Sequence, residues 1–358
     1  MVRLGFFLIV GLLVVSCKKD KTIFPYDATP YEIKLVNNTL PAPTLPPDNP
    51  LTIANVELGR MLFYEPLLSK DESISCASCH LQSDGFSDVN QYSLGVDGTL
   101  GTRQAMPIFN LAWNKIGFFW DGRSDLLRHQ SLLPIQDELE MKETIENVIN
   151  KLSQNSLYIS HFNKAFGTTE INAYKISLAL EAFMFSIVSD DSKYDQYKAG
   201  KTTLTASEER GQQLFFTEYN PFLPELSGAD CAHCHGGSNF ENDQYMNNGL
   251  DDQSEILDIG RQKVTGDPLD KGKFKVPSLR NIAVTRPYMH DGRFSTLMEV
   301  IDHYNSGVHH SPTTDPALNT TTETGLMLTP EDKLDLVNFL KTLTDQNFLT
   351  NPAYSSPF

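Results

Sequence analysis

The sequence predicts a mainly α fold of two small helical modules, arising from one duplicated unit and separated by long loops. Three observations carry that prediction. A five-residue pattern, Cys-x-x-Cys-His, occurs twice; an internal repeat surrounds both copies; and apolar segments of helix period outnumber strand-like alternation. The two patterns are Cys76-Ala77-Ser78-Cys79-His80 and Cys231-Ala232-His233-Cys234-His235. Their x-x spacing puts both thiols about one helical turn apart, within reach of the two vinyl groups of one haem. The adjacent histidine then reaches the iron as its proximal ligand. Cys-x-x-Cys alone also fits a redox pair or half a zinc site. A following His in both copies, with only one further Cys in the chain, favours covalent haem c attachment. The modules are therefore expected to be cytochrome c-like helical haem domains.

The fifth cysteine bears on location. Residues 1–17 begin Met-Val-Arg, continue through an apolar stretch from Leu4 to Val15, and end Ser16-Cys17. A cationic start and a short apolar run make a secretory signal, below the roughly 20 residues a membrane-spanning helix needs. The ending Leu13-Val14-Val15-Ser16-Cys17 has the form of a lipoprotein signal, with Cys17 as the lipidated first residue. A plain signal with Cys17 as bystander is the alternative; Lys18-Lys19-Asp20 directly afterwards favours the lipid anchor. Haem c is attached on the export side, so the expected place is the periplasm of a Gram-negative bacterium, tethered to membrane. Residues 18–50, rich in Pro and Asn, are expected to be the tether.

The mature chain exceeds one ordinary core and fits two modules, expected over residues 51–200 and 201–358. In 358 residues, 45 acidic against 29 basic side chains give a net charge of −16. That balance argues against a nucleic-acid partner and suits a basic electron-transfer protein, although an ordinary soluble acidic surface fits equally well.

The repeat runs in order through both halves. Gly59-Arg60-Met61-Leu62-Phe63 precedes the first haem motif and Gly211-Gln212-Gln213-Leu214-Phe215 the second. Each motif is followed by a Pro, an Asn and Asp-Gly-Arg, with Pro107 and Pro277 each 14 residues before Asp121 and Asp291. Trp120 thereby corresponds to His290. Ala173 to Val188 is apolar and of helix length. Thr205-x-x-Glu208 is a capping box opening a helix through Phe216. Thr329-Pro330-Glu331 opens a last helix through Leu343. Asp84 to Thr102 and Ser238 to Lys273 read as long loops.

From about residue 50 to 345 the chain resembles the bacterial dihaem cytochrome c peroxidases and their MauG-type relatives. The carrying residues are the two haem motifs, Phe119-Trp120-Asp121-Gly122-Arg123, Gln130, Pro134, Glu140-Met141, Pro277-Ser278-Leu279-Arg280-Asn281 and Pro287-Tyr288-Met289-His290-Asp291-Gly292-Arg293. The resemblance implies a peroxidatic N-terminal haem, an electron-transfer C-terminal haem, and Ca²⁺ between them. It places Gln130 and Glu140 on the open face of the first haem, where a proton carrier serves O–O cleavage. Read without it, Glu140 is a helix N-terminal charge ahead of Lys142 to Leu152. It places Trp120 between the haems; otherwise Trp120 is a core residue. The calcium ligands it implies are Gln104, one methylene longer than the family's usual Asn, and the carbonyls of Thr285 and Pro287.

Two departures stand out. Where many family peroxidases carry a sixth-ligand His after the first motif, Val96 stands here, and no histidine occurs between His80 and His129. The first haem is thus expected to keep an open site without prior reduction. The family's Met ligand position at the second haem holds Tyr304, as in the MauG branch, with His303 and Met298 as rival ligands. Axial ligand identity can move haem potentials over ~0.8 V. Against the MauG branch, its tryptophan two residues before the second motif is Ala229 here.

The leading expectation is a peroxidase that reduces hydrogen peroxide with electrons from a small cytochrome c or cupredoxin. The alternatives are a MauG-type oxidase of a protein or small substrate, and a cytochrome that only relays electrons. The open face at the first haem argues against the last. A homodimer is left open.

Overall fold

The computed structural model describes residues 23–358. The expected signal peptide and Cys17 lie outside the described residues.

Two helix crossings organise the chain. The Ile53–Phe63 helix packs on Ala173–Ser186, and the Ala206–Phe216 helix packs on Pro330–Lys341. Each helix starts where a side chain satisfies a free backbone N–H. Thr52 and Asn172 accept from Asn55 and Lys175, and Thr205/Glu208 and Thr329/Asp332 form reciprocal capping boxes. Close approach at both crossings needs a residue without a side chain. A Cβ on Gly59 would lie 1.9 Å from the Ala179 carbonyl oxygen, and one on Gly211 would lie 2.0 Å from that of Asp335. Both glycines open the repeated segments of the sequence.

The buried apolar residues fall into two clusters. One runs from Leu40 to Val188; the other runs from Tyr194 to Leu343. The last residues cross back: Phe348, on the Gln346–Thr350 helix, lies 5.7 Å from the Phe86 ring and 5.5 Å from Phe109. The expected 201–358 unit therefore gives up its end to the first core. Among the described residues, regular strand is confined to the antiparallel pair Tyr245–Met246 with Phe274–Lys275. The chain is mainly helical, as expected.

The tether expectation is corrected over residues 23–50. Leu40 and Asn49 are buried, the Trp113 indole donates to the Pro41 carbonyl, and Asp48 pairs with Arg128 at 2.6 Å. A Pro-rich composition limits helix and strand but leaves an extended chain free to lie on apolar surface. This segment is a strap on the first core.

At the seam, Arg280 holds Asp195 through two charge-assisted bonds of 2.7 and 2.9 Å, with both side chains buried. The Arg280 Nε also donates to the Ser238 carbonyl, fixing the loop beyond the second haem motif. Trp120 is buried; its carbonyl accepts from Lys275 N–H at 2.7 Å, joining the halves.

Candidate active site

Around the first motif one cavity gathers Cys76, Cys79, His80, Gln130, Pro134 and Glu140, with Phe63, Leu180 and Met184 among its apolar walls. Ser75 caps the short Cys76–Cys79 helix, which sets both sulfurs on one turn. His80 Nδ1 donates to the Phe86 carbonyl at 3.0 Å, which leaves the lone pair on Nε2 as the one available to a metal. The sequence-expected pair Gln130 and Glu140 thus share a wall set with His80. Glu140 is half-buried and lies outside the following helix, which begins at Ile145 behind the Thr144 cap. The helix-terminus reading of Glu140 therefore falls. Burial of its carboxyl, reinforced by Asp137 and opposed by Arg123, pushes it up to about 7. Arg123 was legible as part of Asp-Gly-Arg, but its closeness to Glu140 was not. Val96 N–H donates to the Glu140 carbonyl at 3.0 Å, so the loop carrying Val96 lies against this wall.

The second motif is built alike. His235 Nδ1 donates to the Pro277 and Phe240 carbonyls at 3.1 and 3.3 Å. Tyr304 lies near the Cys231 and Cys234 sulfurs, in a π-helical turn, His303–Gly307, that follows the Leu297–Asp302 helix. Single π turns re-aim a side chain relative to the α-helix before them. Desolvation pushes the Tyr304 phenol up to about 12. The rival ligand His303 is buried and its Nε2 donates to the Asn248 carbonyl at 3.1 Å. Met298 packs against the second core.

Between the halves, the Trp120 indole N–H donates to the Gln104 carbonyl at 2.8 Å, and Gln104 N–H donates to the His290 carbonyl at 2.9 Å. His290 stacks on Phe274 at 3.7 Å. The Gln104 amide nitrogen donates to Ser87 and to the Asp88 carbonyl. Gln104 and Thr285 are both buried, in segments that flank the junction of the two halves. Side-chain amide and backbone carbonyl oxygens are the donor types that suit a hard cation.

The methylamine utilization protein MauG of Methylorubrum extorquens is 34% identical over 302 residues, covering 83% of this chain and 80% of that protein. The chain belongs to the di-haem cytochrome c peroxidase and MauG family. The sequence profile of the di-haem cytochrome c peroxidases matches residues 53–203 of this family member. Cytochrome c551 peroxidase of Nitrosomonas europaea is 35% identical over 249 residues, covering 69% of this chain and 71% of that one. Among solved structures, a MauG-like protein associated with microbial copper homeostasis aligns with TM-score 0.79 at 34% identity, covering 89% of this chain and 97% of that one. The dihaem peroxidase BthA of Burkholderia thailandensis aligns with TM-score 0.72 at 20% identity, a likeness of fold.

This family of oxidoreductases carries two haem c groups, and the residues present fit them. All four motif cysteines are free of disulfides, both motif histidines have Nδ1 tied to a carbonyl, and an apolar-walled cavity adjoins the first pair. Missed by sequence reading were the Phe86 and Phe240 carbonyls and Asn248. Backbone acceptors leave no residue-type signal, and Asn248 sits in a segment legible only as loop.

Proposed function

We propose that the protein reduces hydrogen peroxide to water at the cavity of Gln130, Glu140 and His80, using two electrons from a periplasmic carrier such as a small cytochrome c or a cupredoxin. The observation that carries this is Glu140, its carboxyl desolvated to near-neutral pKa, sharing one cavity with the candidate iron ligand His80. Haem bound through Cys76, Cys79 and His80 would supply a redox-active iron. Glu140 takes the proton from the incoming peroxide oxygen and returns it to the departing one. The Gln130 amide orients the peroxide without competing for the proton, since it does not titrate. Trp120, hydrogen-bonded to both halves, is assigned the path for electrons between the modules. Steady-state peroxide consumption with reduced cytochrome c as donor tests the reading; absence of turnover by the two-haem protein overturns it.

Val96 cannot ligate iron, and its loop is held by the bond to the Glu140 carbonyl. The diferric protein is therefore expected to react with peroxide without any reductant, changing its Soret absorption within seconds of mixing. Reaction only after half-reduction would mean that another group caps the first iron.

Val96 and Tyr304 also favour a second reading, a MauG-type oxidase acting on a protein or small substrate. Ala229, in place of that branch's tryptophan, disfavours long-range oxidation by that path.

The two modules, taken as 51–200 and 201–345 with the last residues returning to the first, are read as a duplication. Matching backbone features support this. Phe119 and Met289 both have positive φ (68° and 74°), Phe118 bridges Ser124 as Tyr288 bridges Phe294, and Asp121–Arg123 matches Asp291–Arg293. Calcium is assigned to Gln104 Oε1 with the Thr285 and Pro287 carbonyls. A chelator is expected to lower peroxide turnover and added Ca²⁺ to restore it; turnover indifferent to both removes calcium from the reading. A lipid at Cys17 holds the protein at a membrane, and a homodimer remains compatible with this arrangement.

A further inference from the structure

One residue touches three side chains of the second half that carry a ligating atom: His303, Met289 and Tyr304. The Asn248 carbonyl accepts from His303 Nε2 at 3.1 Å. Its side-chain amide nitrogen lies 3.3 Å from Met289 Sδ and 3.4 Å from the Tyr304 hydroxyl. Met289 is held in a left-handed conformation, φ 74°. We infer that Asn248 is a positioning residue that selects the ligand of the second haem, occupying the imidazole of His303 and the thioether of Met289 while steering the oxygen of Tyr304 to the iron.

The physical case rests on who donates. An amide N–H can bond to a phenol or phenolate oxygen and to a thioether sulfur, which is a weak acceptor. A sulfur engaged by a donor is a poorer electron-pair donor to metal. A phenolate oxygen has lone pairs to spare for both the amide and iron, so the same contact leaves its ligation intact. His303, with Nε2 committed to a backbone carbonyl, keeps a lone pair only on Nδ1. The loop itself is held independently of the Asn248 side chain. Asn247 donates to Thr313 and Ser311 at 3.0 and 3.3 Å and accepts from Gly249 N–H at 2.9 Å.

This inference rests on Tyr304 as ligand, so the test separates the two. Asn248→Leu, Asn248→Asp, Tyr304→Phe and the wild type are compared as two-haem proteins for ferric absorption spectrum and second-haem reduction potential. Haem content and circular dichroism report folding. In Asn248→Leu the phenolate-to-iron band is expected to lose at least half its intensity, with a thioether-to-iron band appearing and the potential rising. Adding Met289→Leu should abolish the new band. Asn248→Asp keeps the size but replaces the donor with an acceptor, and should also lose the native band. If both Asn248 variants match the wild type while Tyr304→Phe does not, the selection is refuted and the Tyr304 ligand stands. If Tyr304→Phe also matches the wild type, both fall.

Discussion

Replacing Glu140 by Gln is expected to lower peroxide turnover by about 10²–10⁴-fold, with both haems retained. Each tenfold corresponds to about 1.4 kcal/mol of barrier, so the loss amounts to about 3–5 kcal/mol of transition-state stabilisation. Gln keeps the volume and the polar oxygen in the cavity with Gln130 and His80, and removes only the exchangeable proton. The pH profile gives an independent check. Burial raises the Glu140 carboxyl to about 7, and the ionised form is the proton acceptor. kcat/KM for peroxide should therefore fall as pH drops through about 7, and this acid limb should vanish in Glu140→Gln. Near-normal turnover in the variant would leave the carboxyl without a chemical role.

The second large effect is expected at Tyr304. Tyr304→Met exchanges an anionic oxygen for a neutral thioether, which favours reduced iron, and should raise the second-haem potential by on the order of 0.1 V or more within the ~0.8 V range that axial ligands span. The variant is expected to turn over faster with reduced cytochrome c, because its second haem accepts electrons more readily. Potentiometric titration of both proteins measures the shift. An unchanged potential means that Tyr304, although beside Cys231 and Cys234, does not reach the metal.

The helices near residues 173, 205 and 330 were legible from their starts and apolar runs, whereas Ile53–Phe63 and Ser156–Phe166 were not read as helices. Thr205 with Glu208, and Thr329 before Pro330, are the N-caps of helices that begin at Ala206 and Pro330. The Ala173 helix ends at Ser186, two residues before the end of its apolar run, because Ile187 turns extended while remaining buried. The haem residues were legible because covalent attachment demands fixed spacing. Glu140 was reachable only through family spacing, since a lone carboxylate near a helix start has a simpler reading. Asn248 was not reachable. Its contacts depend on how the aperiodic stretch after residue 238 folds back on the turn carrying Tyr304. The strap over residues 23–50 was misread for a related reason: composition does not reveal that Leu40 has a niche waiting for it.

Gln104 presents three separate handles. Its peptide N–H grips the His290 segment, its carbonyl grips the Trp120 indole, and its side-chain amide, proposed above to lend its oxygen to a cation, grips Ser87 and Asp88 through its nitrogen. Ion and indole are thus separated by one residue's covalent frame. In the calcium reading, losing the ion would leave the Gln104 side chain tethered only through its amide nitrogen, to Ser87 and Asp88, and so loosen its frame. Trp120, proposed as the conducting residue, would then be less firmly placed between the halves. An ion at that position would act less as a staple than as a tuning peg on the wire, making electron delivery answer to the calcium level outside the cell membrane.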